Sequence, residues 1–505
     1  MAKQHQVYDL FVVGGGINGV GIAADAAGRG LSVYLCEMND LASATSSNSS
    51  KLIHGGLRYL EYYEFRLVKE ALAEREVLLK NAPHIMWPLR FRLPHRPHLR
   101  PAWMIRAGLF LYDHLAKRVT LPASKSIRFE PSGPLKSHMT KGFEYSDGWV
   151  DDARLVVLNA QMAQQKGAKI KTRTRCIAAV RKDDLWEITV ENMLTGKVKT
   201  LRSKALINAA GPWVSSLFAD TMDIPAPKKI RLVKGSHIIV PRIHDEEQAY
   251  ILQNEDGRIV FVIPYEERFS LIGTTDEEYQ GDPSAVAISQ AEIDYLIDIS
   301  NQHFNTQIDN SQVVRTYSGV RPLLDDDAEN AQAVTRDYTF EVDAPLNQGV
   351  LLSVFGGKIT TYRKLAQAAV DKLCEHFPQA GPQWTADAAL PGGDFQSQPQ
   401  LLDQLQRQYP WLPEQIAKRY VRSYGTRSHQ LLQHIDSLER MGQDFGAGLY
   451  ACEVEYLLKH EWAVSLEDIV WRRSKLGLFL NPAQISALQE YLNRYFNFKN
   501  LDAAS

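Results

Sequence analysis

The amino terminus constrains the fold most. An apolar run, Tyr8 to Val13, leads straight into Gly14-Gly15-Gly16-Ile17-Asn18-Gly19, a G-x-G-x-x-G string. Val20 to Ala27 then reads as a helix that Gly28 and Gly30 end, and a second apolar stretch, Leu31 to Cys36, delivers Glu37, 18 residues past Gly19. Strand, glycine turn, helix, strand and acid in this order make the βαβ dinucleotide fingerprint. Gly14 is expected to make the tight turn, Gly16 to let backbone approach a pyrophosphate, and Gly19 to pack helix on strand. The helix amino terminus then faces the pyrophosphate charge, and Glu37 can accept from a ribose diol. The fingerprint alone does not separate NAD from FAD.

The 505 residues allow two or three domains. A net charge of −2 gives no global field for nucleic acid, and no nucleic-acid module appears. The cysteines, Cys36, Cys176, Cys374 and Cys452, are far apart, with no C-x-x-C and no histidine cluster at metal spacing. That argues against a disulfide framework or a metal site and fits a reducing compartment. No apolar run reaches the roughly 18 to 20 residues of a membrane span, and the residues ahead of the first strand are not expected to act as a signal peptide. The expected location is the cytoplasm or the cytoplasmic face of a membrane.

Residues 41–56 are too small and polar for a core element and read as an ordered loop; Leu57 to Lys80 turns helical. Residues 152–211 give a helix from Ala153, a strand from Ala168, a hairpin around Trp186 and a strand, Ala205 to Asn208, ending in Asn208-Ala209-Ala210-Gly211-Pro212-Trp213. Residues 230–345 look β-rich, Leu351 to Phe355 returns an apolar strand, and residues 400–500 are helical. The expected class is α/β plus α. A discontinuous Rossmann-like dinucleotide domain (1–82, 150–215, 345–385) carries an inserted mixed β-sheet substrate domain (216–344), a basic and apolar segment (83–149) and a C-terminal helical domain (392–505).

Several strings carry a family likeness. Gly14 to Gly21, Thr45 to Leu60, Gly142 to Asp147, Asn208 to Trp213, Arg315 to Leu323, Gly356 to Arg363 and Trp471 to Gly477 resemble the FAD-dependent glycerol-3-phosphate dehydrogenases, within the D-amino-acid oxidase-like flavoproteins. The likeness covers nearly the whole chain and leans to the aerobic bacterial branch. It implies noncovalent FAD, a homodimer held at the inner membrane, and electron transfer to quinone. For FAD it implies Gly14, Gly16, Asn18, Gly19 and Glu37; the loop residues Thr45, Ser46, Ser47, Ser50, Lys51, Leu52, His54 and Gly55; and Ala210, Gly211, Gly357, Lys358 and Thr360. Without the likeness, the serine-rich stretch would read as a surface loop.

Glycerol 3-phosphate carries close to two negative charges and needs cations. The resemblance implies Arg58, Arg321, Arg336 and Lys358, with Arg321 and Arg336 on the phosphate. Arg321 stands in an apolar Gly-Val-Arg-Pro-Leu context, whereas Arg336 could equally pair with Asp337 on the surface. Lys358, at a glycine turn, would also steady negative charge on a reduced flavin. Oxidation at C2 releases a hydride and a hydroxyl proton. Histidine suits the proton, and His237, at a strand start, is the candidate base. His54 competes for that role, and arginine or water could replace both. Tyr59 could hydrogen-bond substrate or simply pack.

Residues 84–130 hold nine basic residues (Arg90, Arg92, Arg96, Arg100, Arg106, Lys117, Arg118, Lys125, Arg128) against Asp113 and Glu130, around the apolar stretch Trp103 to Tyr112. This suits a helix lying in an anionic membrane surface; the other reading is a buried helix with a solvated basic flank. The rival functions are an oxidase returning electrons to O2, a flavoenzyme of amines or hydroxy acids, and a non-catalytic flavin-binding interaction protein.

Overall fold

The computed structural model describes residues 6–96, 100–325 and 337–502. Among them the strands form an eight-stranded and a ten-stranded sheet. In the first, parallel strands run in the order Lys169–Lys171, Val33–Cys36, Val7–Val13, Val198–Asn208, Val350–Gly356, with Tyr338–Asp343 antiparallel at the edge. Val13 pairs with both Cys36 and Asn208, and Asn208 with Ser353, so the carboxyl ends finish level. That edge is where open α/β sheets bind ligands.

Parallel strands need both faces covered. Helices Ile17–Gly28, Asp152–Gln165 and Tyr362–Cys374 cover one face through Val20, Ile22, Val156, Leu365 and Ala369. The hairpin of Thr174–Lys182 and Leu185–Asn192 covers the other, around Phe11, Tyr34, Trp186 and Ile188.

The second sheet is mostly antiparallel. Its centre is Ile230–Pro241, flanked by Phe269–Gly273 and Arg315–Leu324. It also takes in Leu52–Ile53, Met86–Pro94, Lys125–Arg128 and Lys141–Val150. The basic segment therefore contributes strands to this sheet on either side of the helix Ala102–His114. Its arginines alternate with Leu89, Phe91 and Leu93, which pack inside, a period-2 pattern that its prolines disguise. Tyr338–Asp343, placed by sequence in the substrate domain, lies in the first sheet.

Other elements shift less. The expected helix from Leu57 is a 3-10 segment, Leu57–Tyr62, then a helix, Phe65–Asn81, separated by Tyr63 in the left-handed region. A helix inside the β-rich region, Gln290–His303, starts from a Ser289/Glu292 capping box. Beyond Gly356 no strand occurs among the described residues; helices Gln398–Gln408, Glu414–Tyr424, Ala451–His460 and Pro482–Asp502 pack around Leu405, Tyr420, Val454 and Leu488.

Candidate functional site

A cavity of about 590 Å³ opens at the carboxyl edge of the first sheet and is roofed by the second. The glycine turn forms its floor. Gly14, at φ 113°, has no room for a side chain: a Cβ would sit 2.4 Å from Ala209 O. A Cβ on Gly19 would sit 2.0 Å from Gly14 O, so Gly19 lets the helix cross the strand and does not line the cavity. Gly16 lines the cavity, and a Cβ there would meet only Ser46 Oγ, 3.2 Å away.

The next wall is the loop after the second strand. Glu37 accepts from Gly15 N–H at 2.7 Å and Asn39 N–H at 2.8 Å. Burial raises its carboxyl above the ordinary value, against those two bonds. Each oxygen retains capacity for another donor. Ser46 Oγ accepts from Ile17 N–H at 3.0 Å, Thr45 Oγ donates to Val320 O at 2.6 Å, and His54 N–H donates to Thr360 Oγ at 3.2 Å. Thr45, Ser46, Ser50, Leu52, His54, Gly55, Ala210, Gly211, Gly357 and Thr360 all line the cavity. Asn18 donates to Gly356 O, while its Oδ1 is buried with no hydrogen-bond partner among the described residues. An extended cleft with backbone glycines, a paired acid at one end and an orphaned amide oxygen fits a dinucleotide.

Ser47 and Lys51 are placed differently. Neither lines the cavity. Lys51 is buried, with Nζ 2.7 Å from Asp152 and 3.2 Å from Ser47 O, and it lies over the Tyr317 ring. It braces the loop from behind.

Tyr59, His237, Arg321 and Lys358, far apart in sequence, meet on the same cavity. Lys358 Nζ lies 3.9 Å from the centre of the Tyr59 ring, a cation–π contact. His237 stacks on Tyr317 with centroids 4.7 Å apart, and Ser50 Oγ lies 2.9 Å from its Nε2. Its Nδ1 has no partner among the described residues. Burial pushes the imidazole down to about 3, with Lys51 and Arg321 adding to the effect. His237 is therefore neutral at ordinary pH. Arg321 pairs with Asp276. The side chain of Arg58 and the whole of Arg336 lie outside the described residues, and Asp337 pairs with Arg66.

Two carboxylates escaped the sequence reading. Asp276 is one. The other is Glu292, buried beneath the site, which accepts from Lys234 Nζ at 2.7 Å and from Ser236 and Thr275 hydroxyls at 2.8 Å each. Ser236 precedes His237, and Thr275 O lies 3.5 Å from the Arg321 guanidinium. Burial would raise the Glu292 carboxyl, but Lys234 and these donors hold it below its ordinary value. The capping box Ser289-x-x-Glu292 was its only local signal.

Residues 9–363 match the FAD dependent oxidoreductase family model, and residues 383–497 match the C-terminal domain of alpha-glycerophosphate oxidase. The chain is 60% identical over 488 residues to a glycerol-3-phosphate dehydrogenase of Pseudomonas aeruginosa, covering 96% of this chain and 95% of that one. It is 56% identical to the aerobic glycerol-3-phosphate dehydrogenase of Escherichia coli, covering 96% and 97%. Among solved structures it resembles the glycerol-3-phosphate dehydrogenase from Bacillus halodurans complexed with FAD, with TM-score 0.76 and 27% identity, covering 98% of this chain and 91% of that one. The cofactor is FAD, and the chain belongs to the FAD-dependent glycerol-3-phosphate dehydrogenase family within the FAD dependent oxidoreductases.

Proposed function

We propose that this protein oxidises sn-glycerol 3-phosphate to dihydroxyacetone phosphate and passes the electrons to a membrane quinone. The carrying observation is the meeting of Tyr59, His237, Arg321 and Lys358 on the cavity that the glycine fingerprint floors. A phosphate dianion entering there meets Arg321 and Lys358, and it competes with Asp276 for the Arg321 fork. The resemblance adds Arg336 to the phosphate and Arg58 to the substrate's cations. FAD, when bound, supplies the acceptor for the hydride leaving C2.

His237 takes the hydroxyl proton. It starts neutral, with Nδ1 unclaimed among the described residues and Nε2 against Ser50. A dianion close by favours the imidazolium and lifts a pKa that burial has depressed. The base therefore strengthens when substrate arrives. Tyr59, whose ring lies under Lys358 Nζ, orients the substrate beside that cation.

The membrane reading rests on the helix Ala102–His114. It buries Leu109 and Tyr112 but leaves Trp103 70% and Phe110 58% exposed, with Met104 and Leu111 each 38% exposed. Among the described residues no helix is long and apolar enough to cross a membrane, so contact would be interfacial. The basic residues contribute less than their number suggests: Arg90, Arg92 and Lys125 share Glu144, and Arg106 donates to Ser124. Attachment should thus depend more on the aromatics than on anionic lipid. A homodimer at the cytoplasmic face of the inner membrane completes the proposal.

The test follows the reduced flavin. After anaerobic reduction by substrate, a short-chain quinone should restore the oxidised spectrum much faster than air. Rapid reoxidation by air with peroxide formed would move the protein to the oxidase reading. Separately, Trp103→Glu with Phe110→Glu should abolish cosedimentation with vesicles; unchanged binding would remove this helix from the interface.

A further inference from the structure

The C-terminal domain has no role in the chemistry above, yet its Asp468–Lys475 stretch reaches the FAD domain through buried charge. Asp40 is completely buried and holds two arginines of that stretch. Arg473, itself buried, grips both carboxylate oxygens, at 2.6 and 2.8 Å, and Arg472 Nε reaches Oδ2 at 2.6 Å. Arg472 also pairs with Asp468, whose two oxygens each lie 2.8 Å from Arg173 of the FAD domain. Charges thus alternate Arg173, Asp468, Arg472, Asp40, Arg473. Burial alone would raise the Asp468 carboxyl; the Val464 N–H and the arginines hold it well below the usual carboxylate range.

What this cluster grips is the cofactor loop. Asp40 lies three residues past Glu37. Between the two gripped points, Arg173 N–H donates to Asn39 O and Thr174 N–H to Glu37 O. On the far side Ala42 N–H donates to Gly15 O at 3.1 Å, tying the loop to the glycine turn. A second contact reaches the other end. Lys475 lies 2.9 and 3.0 Å from the Asp151 oxygens, and adjacent Asp152 holds Lys51 and Ser49. Loop 37–51 packs into the core through Leu41 and Ala42, but from Ser43 to Ser50 its side chains are small and mostly polar and give little packing of their own. Buried ion pairs are a poor way to glue two domains, since desolvation offsets much of the attraction. They are effective at fixing geometry, because an Arg–carboxylate fork sets direction as well as distance.

We propose that residues 468–475 position the FAD-binding loop 37–51, so that docking of the C-terminal domain and binding of FAD reinforce each other. Arg472, Arg473 and Lys475 are positioning residues acting through Asp40, Asp151 and Asp152. Linkage makes the effect reciprocal: what holds the loop for FAD must be held by FAD in turn.

The experiment uses the full-length holoenzyme. FAD release is followed by the rise in free-flavin fluorescence, well below each variant's thermal midpoint, and exchange of amide hydrogens in 461–475 is compared with and without FAD. Arg472→Met and Arg473→Met should release FAD at least about tenfold faster, a loss of about 1.4 kcal/mol, with Arg472→Lys intermediate. FAD should slow exchange across 461–475 in the parent. If Arg473→Met does not fold, Arg472→Met, whose side chain is partly exposed, carries the comparison. Release within about tenfold of the parent despite a lowered thermal midpoint, or exchange in 461–475 indifferent to FAD, would overturn the proposal. Neither readout involves substrate, so its failure would leave the assigned reaction untouched.

Discussion

Arg321 is held by Asp276 before any substrate arrives. Its guanidinium is pre-aimed, and its charge is partly spent until a dianion displaces the carboxylate. Arg321→Ala should keep flavin and lose about 2 kcal/mol, or ~30-fold, in kcat/KM, the scale of a hydrogen bond to a charged group; steady-state kinetics on FAD-loaded enzyme checks this. Glu292→Gln removes the charge that anchors Lys234, Ser236 and Thr275 together. It should raise KM for substrate without loss of flavin absorbance. The fingerprint glycines separate by role. Gly16→Val should fold but lack FAD, because only the Ser46 hydroxyl stands near its Cβ, whereas Gly19→Ala should fail earlier, as a Cβ strikes Gly14 O. Flavin content against thermal midpoint distinguishes them. Normal FAD in Gly16→Val would contradict the placement of the pyrophosphate.

At the scale of elements, the sequence was readable where periodicity and punctuation agreed. The first strand, its glycine turn and the helix Ile17–Gly28 lie where the fingerprint puts them. The strand ending at Asn208 and the one ending at Gly356 also finish at their glycine turns. Met86–Pro94 was not legible as a strand, because Pro88, Arg90 and Arg92 interrupt the apolar signal. Only its pairing with Lys141–Val150, some 55 residues away, explains it. The same non-local logic hides the site's carboxylates. Asp276 and Glu292 earn their roles from neighbours across strands, which no spacing rule reports. Lys51 shows the reverse: a cation in the right loop whose partner, Asp152, lies 101 residues on, so that its charge is used behind the wall.

The whole molecule carries several neutral histidines in its interior. Burial pushes His84 down to about 3, with Arg154 adding, His237 to about 3 and His244 to about 4. Their folded values lie below the unfolded value of about 6.5, so the unfolded chain binds more protons between the two. The stability they confer is present above about pH 6.5 and is lost as pH falls through 6.5 toward the folded values. For His84 this amounts to about 2 kcal/mol between pH 7 and pH 5. His84 sits where Asn81, Gly392 and Gly425 bring the first and last domains together. His84→Leu should therefore flatten the acid limb of a denaturant-stability profile, and an unchanged limb would show that His84 does not titrate with unfolding. The assignment of chemistry rests on one convergence, cations and a neutral histidine on the FAD cavity, and the most direct test is an anaerobic titration of the flavin absorbance. sn-Glycerol 3-phosphate should bleach the visible flavin band while glycerol leaves it unchanged. Bleaching by glycerol as readily as by its phosphate, or no bleaching by either, would contradict a site built for the dianion.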